Sequence, residues 1–172
     1  MLATVAVAGQ PSRPVTQADL EAVYLYNFGK FVTWPDQSSG SVSFVICTLG
    51  NEEFGGALDA LTSNETLQGR KIAVRHLTSI AGADGCHILF ISQSEEPRLS
   101  KVLNAVRLKP ILTVSNVPAF LERGGMVQFV VQDKRVRFEV NLQSALQARL
   151  TISSELLKVA LAVQGKHTEE AK

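Results

Sequence analysis

The sequence predicts an α/β fold: a three-layer sandwich with a mostly parallel central sheet, helices on both faces and a C-terminal antiparallel hairpin. Three observations carry that expectation. Short β-rich apolar runs alternate with stretches whose apolar residues fall at helical spacing, as in strand–helix–strand units. Several of these runs are apolar on both faces, like strands buried between two helical layers. After Gly124-Gly125 the pattern changes to two alternating runs around polar turn residues, which is how a hairpin reads. A chain of 172 residues suits one domain, expected over residues 16–164, between a leader at 1–15 and a polar tail at 165–172.

A first helix is expected from Thr16, whose hydroxyl can cap it, with Asp19 in the first turn complementing the helix dipole. It should stop at Trp34, because Pro35 disfavours helical geometry in the residue before it. Residues 42–50 (VSFVICTLG) read as a buried parallel strand, and Asn51-Glu52-Glu53 opens a helix through Phe54, Leu58 and Leu61. Residues 71–77 alternate as a second strand, and 87–92 (HILFIS) form a third. A helix over 95–107 follows, with Leu99, Val102, Leu103 and Val106 at helical spacing. Residues 111–115 make a fourth strand and 117–123 a short helix. The hairpin pairs 126–131 with 135–140 across Gln132-Asp133-Lys134, a turn without the Asn-Gly or Asp-Gly signal of the tightest hairpins. Helices at 141–148 and 153–163 close the domain.

Composition narrows the function. With a net charge of +1 and Lys and Arg scattered among acids, the chain has no basic stripe of the kind nucleic acids select. No stretch approaches the about 20 apolar residues of a membrane span. Residues 1–9 (MLATVAVAG) contain Ala6-Val7-Ala8, which is similar to a signal-peptidase site. They read either as the remnant of a signal peptide or as an ordinary extension. Cys47 and Cys86 are the only cysteines, and no zinc-like spacing surrounds them. In a cytosolic protein they would be two buried thiols; in an exported one they would bond and close a long loop.

Catalytic signatures are missing: there is no GxGxxG, GxxxxGK[ST], HExxH or GxSxG. No metal, cofactor or catalytic residue is expected. The loop Gly50–Gly56 lies between strand and helix, the place of a phosphate cradle, yet Glu52 and Glu53 sit where the anion would go. Cys86 and His87 are adjacent on a strand and point to opposite faces, so they cannot act as a nucleophile–base pair.

Two features read as binding surfaces. Tyr24, Tyr26, Phe28, Phe31 and Trp34 place five of the chain's eleven aromatics on one helix, pointing round most of its circumference. Either the helix is sunk between sheet and loops, or these rings form a dimer or partner surface. In RVRFEV, Val136, Phe138 and Val140 share one face and Arg135, Arg137 and Glu139 the other. That polar face is either a solvated strand face or a recognition spot for a ligand or partner.

The segments AVYLYNFGKFVTWP, FVICTLGNEEFGGAL, CHILFIS, PILTVS and RGGMVQFVVQDKRVRFEVNLQSALQARLTISSELLKVA, in that order over residues 17–163, resemble the YfiR-like family. The resemblance implies an exported periplasmic regulator with a compact α/β fold, dimeric and without enzymatic activity. It implies repression of a membrane-anchored diguanylate cyclase through the cyclase's periplasmic part, lowering cyclic-di-GMP and restraining biofilm formation. Cys47 and Cys86 stand where some relatives carry a disulfide. A second pair found in some relatives is absent, since residues 121–128 hold no cysteine, and that counts against a redox-sensing role. Arg137, Phe138, Glu139, Asn141 and Leu142 match the family's RF-E-NL signature, which marks Arg137, Glu139 and Asn141 as partner-binding residues. The rival reading is a small-molecule-binding sensory domain using the Gly50–Gly56 loop and Ser115-Asn116 at the ends of the parallel strands.

Overall fold

In the computed structural model, which describes residues 13–35, 43–51 and 53–165, helix α1 (Gln17–Phe31) starts in a capping box. The Thr16 hydroxyl accepts from the Asp19 N–H at 3.2 Å, and the Asp19 carboxylate accepts from the Thr16 N–H at 2.8 Å. The helix ends at Phe31, short of Trp34. Val32–Thr33 turn extended as β1 and pair antiparallel with β9 (Thr151–Ile152), while the Phe31 carbonyl accepts from the Ser153 N–H at 2.8 Å. A partner distant in sequence thus overrides the local helix preference.

The main sheet is built from β2 (Ser43–Leu49), β3 (Thr66–Leu67), β4 (Arg70–Leu77), β5 (Ile88–Ile91), β6 (Leu112–Ser115), β7 (Val127–Gln132), β8 (Arg135–Asn141) and β10 (Ala162–Gln164). Their order is β10-β8-β7-β6-β5-β2-β4-β3. The run β4-β2-β5-β6-β7 is parallel, β8 is antiparallel to β7, and β10 is parallel to β8. From β2 the chain first winds to β4 on one side and then returns to β5 on the other. The carboxyl ends of β2 and β5 are therefore the switch point where open α/β sheets form a crevice.

Each face of the sheet carries its own core. On one, Phe44, Ile46, Ile88, Phe90, Leu112, Val114, Phe129, Phe138 and Val140 pack with residues of α1, α2 (Ala57–Thr62), α4 (Leu142–Gln147) and α5 (Ser154–Val159). On the other, Val45, Cys47, Leu49, Leu89 and Ile91 pack with α3 (Leu99–Val106) and with Val117, Phe120 and Leu121. The strands are buried on both faces because each alternate side chain has a helical layer to meet.

Several local expectations shift. Asn51 and residues 53–56 form a loop rather than a helix start. Gly50 sits at φ +97°, and a Cβ there would lie 2.5 Å from Ser94 Oγ. Residues 93–98 form a 3₁₀ turn containing Pro97, and only then does α3 begin. Residues 117–123 make turns with Ala119 at φ +59°, which a helix does not admit. The last helix ends at Val159, after which the Leu161 N–H bonds the Phe138 carbonyl at 2.8 Å and leads the chain into β10.

Candidate functional site

Three places can bear function: the switch-point crevice, the polar face of β8, and the groove beside α1. At the crevice the chain supplies its own ligand. The Glu53 carboxylate accepts from the Ser92 hydroxyl at 2.8 Å, the Gln93 N–H at 3.1 Å and the Asn116 amide at 2.9 Å. The Asn51 N–H adds a bond to Ser94 Oγ at 2.9 Å. These donors, gathered from the ends of β5 and β6, are the ones an incoming anion would need. Beside them Glu21 of α1 is buried and accepts from the Gln17 amide at 2.8 Å. Burial, reinforced by the negative charge of Glu53, pushes its carboxyl above the ordinary value, with bonds from Gln17 and Asn116 opposing.

One hydroxyl–imidazole–carboxylate chain is present. Thr48 Oγ1 lies 2.8 Å from His76 Nδ1, and His76 Nε2 lies 3.1 Å from Asp59 Oδ2. The spacing is that of a nucleophile, base and orienting acid. Thr48, however, is buried, and the chain of hydrogen bonds ties β2 and β4 to α2. Among the described residues no group of three or more His, Cys, Asp or Glu side chains converges on a metal position.

Of the proposed partner residues, Arg137 and Glu139 lie half-buried on the face of β8 opposite Phe138, with Glu139 flanked by Gln128 and Ala162. Neither side chain has a hydrogen-bond or ion-pair partner among the described residues. Asn141 has a structural occupation: its Oδ1 accepts from the Ser144 N–H at 3.1 Å, capping α4, and its amide donates to the Leu121 carbonyl at 3.2 Å.

Two of the five aromatics expected at a dimer or partner surface are core residues instead. Phe28 is fully buried and Trp34 is 7% exposed. Phe28 stacks on Phe129 and meets Phe138 edge-on. Trp34 packs edge-on against Phe44 while its Nε1–H donates to the His87 carbonyl at 3.0 Å. Tyr24 is half-buried, its hydroxyl donating to the Val136 carbonyl at 3.1 Å; Tyr26, over which Lys30 sits at 4.4 Å, and Phe31 are also half-buried. Core on one side and β9 and α5 at the C-terminal end absorb the circumference that periodicity alone left unassigned. What α1 exposes instead is aliphatic, Leu20 and Val23, and these line a groove of about 390 Å³ with Tyr24, Asn27, Lys134, Arg135 and Val136. Neither aliphatic is legible as a surface residue in the sequence, where Leu20 and Val23 look like ordinary core positions of an amphipathic helix.

Cys47 and Cys86 are disulfide-bonded, with Cα atoms 5.9 Å apart, and both are buried under α3. His87, one residue on, faces the opposite core, stacked on Phe44 at 4.5 Å and accepting at Nδ1 from the Val45 N–H at 3.0 Å.

Strand order and switch point define the class: a doubly wound, flavodoxin-like α/β domain, here extended by an antiparallel hairpin. The chain belongs to the YfiR/HmsC-like family, whose model matches residues 18–161. At family level these are periplasmic regulators of diguanylate cyclases. A search of curated proteins gave no match. Among solved structures, the chain is similar to a conserved domain protein from Vibrio cholerae O1 biovar El Tor. That match has a TM-score of 0.58 and 10% identity, covering 87% of this chain and 61% of that one. It is also similar to the ABC domain in complex with L-Trp from Streptococcus pneumonia, with a TM-score of 0.52 and 12% identity over 70% of this chain and 55% of that one. At such identities the likeness is one of fold. The chain thus spans less than two thirds of either structure's length. No helix among the described residues is long and apolar enough to cross a membrane.

Proposed function

We propose that this protein acts in the periplasm, binds the periplasmic part of a membrane-anchored diguanylate cyclase and represses it, lowering cyclic-di-GMP signalling. In this reading it is a homodimer and performs no chemistry of its own. The observation that carries the reading is membership of the YfiR/HmsC-like family across residues 18–161. The Cys47–Cys86 bond is consistent with an oxidising compartment. Repression works by differential binding: the protein favours the inactive arrangement of the cyclase and shifts its population there.

Arg137 and Glu139 are the contacts assigned to the partner, because neither half-buried charge has a hydrogen-bond or ion-pair partner among the described residues. Glu139→Lys is expected to weaken capture of the cyclase's periplasmic part about tenfold or more, with circular dichroism and Tm unchanged. Normal capture by the variant removes Glu139 from the interface. Ligand sensing at the strand ends finds less support, since the donors of that crevice are already satisfied by Glu53.

A further inference from the structure

We infer that the groove between the first half of α1 and the tip of the β7–β8 hairpin docks an amphipathic helix of the protein partner, apolar at i, i+3 and i+4 and carrying Asp or Glu along its flank. The inference rests on the reading that this protein works by binding another. Leu20 and Val23 are 40% and 41% exposed, and Val131, paired across the hairpin with Val136, is 56% exposed. Leu20 and Val23 line the groove together, Val131 lies next to its Val136, and exposed aliphatics of this kind mark an interaction surface. The floor is rigid. Tyr24 is pinned through its hydroxyl to Val136, and its ring meets Phe28, Phe129 and Phe138 at 6.1, 5.9 and 5.4 Å. A pre-organised floor loses little on binding, and a helix laid in an apolar groove is an established mode of recognition.

Charge selects the flank. Lys134 and Arg135 form the lip, with Asp133 the one carboxylate in the same turn, so the lip is net positive. Two cations are too few for a polyanion such as nucleic acid but suffice to orient an acidic helix. The hairpin turn adds an independent argument. Asp133 and Lys134 both sit at positive φ, 51° and 62°, as a two-residue turn between Gln132 and Arg135 demands. A non-glycine residue held there costs on the order of 1 kcal/mol. Glycine would relieve it; lysine keeps a cation at the lip.

The test uses the full chain and a labelled, helix-stapled peptide with Leu at i, i+3 and i+4 and Glu on its flank, compared with the same peptide bearing Lys for Glu. Fluorescence anisotropy should show the Glu peptide binding at least about tenfold more tightly than the Lys peptide. Val23→Glu should abolish binding, and Lys134→Glu with Arg135→Glu should reverse the preference. Lys134→Gly should weaken binding while raising Tm. Equal binding of both peptides, indifference to these variants, or no binding at all overturns the inference. So does a dimer that Val23→Glu converts to a monomer, which would assign the groove to a second copy. Peptide binding seen only after removal of residues 1–12 would assign it to that segment, with the same consequence. The cyclase's periplasmic part separates the two readings. Equal capture by wild type and Val23→Glu overturns the groove and leaves the proposed function standing. No capture by either overturns the proposed function, and the peptide then judges the groove alone.

Discussion

At the scale of single residues, two buried titratable groups oppose each other across the acid range. Glu21 is favoured in its protonated form, by burial first and the charge of Glu53 second. Its contribution to stability is therefore complete below the ordinary carboxyl value and is lost as pH rises through the elevated folded one. Glu21→Gln is expected to raise Tm by a few degrees at pH 7 and to leave it unchanged in strong acid, as paired thermal melts would show. His87 runs the other way. Desolvation, with the Arg70 charge adding, lowers it from 6.5 to about 4. Its contribution is complete above 6.5 and is lost as pH falls through 4, a change on the order of 3 kcal/mol. An NMR titration of the His87 ring should have its midpoint near 4; a midpoint near 6.5 would show the ring is solvated. Neither role was legible in the sequence, which places His87 on a strand but cannot show Phe44 stacked upon it.

Elements tell a similar story of local pattern and distant override. The apolar runs of β2, β5 and β6 announced themselves because each is buried on both sides. The two-stranded pairing of β1 with β9, and β10 beside β8, left no such trace: three residues or fewer cannot express a period. The aromatic cluster of α1 was visible, but which rings face inward depends on Phe129 and Phe138, contributed by a hairpin a hundred residues on. Phe28→Ala is accordingly expected to cost about 3–5 kcal/mol, read from the urea midpoint, where a partner-surface residue would cost little. The hairpin turn makes the reverse prediction. Asp133→Asn with Lys134→Gly supplies the residues a tight turn prefers and should stabilise the fold by about 1 kcal/mol.

For the molecule as a whole, alternation of strand and helix gave the class, and the order of segments gave the family. The candidate site was only partly readable. Arg137 and Glu139 could be chosen from strand alternation, whereas the closed crevice depends on Glu53 folding back onto Ser92 and Asn116, which no spacing reveals. The Cys47–Cys86 bond joins β2 to the turn that enters the neighbouring β5 across a separation of 39 residues, and closing such a loop is worth roughly 4 kcal/mol. Reduction should lower the unfolding free energy by up to that amount, read from a urea titration, without displacing the proposed partner surface, since β8 lies several strands away. Partner capture that vanished on reduction while the fold persisted would instead make the bond a switch.

The central claim concerns repression, and synthesis of cyclic-di-GMP measures it. A full-length membrane-anchored diguanylate cyclase is reconstituted in vesicles with its periplasmic part accessible, and this protein is added from that side. The account predicts that nucleotide synthesis falls as the protein is titrated in and recovers with Glu139→Lys. Synthesis that stays constant at saturating protein would contradict it.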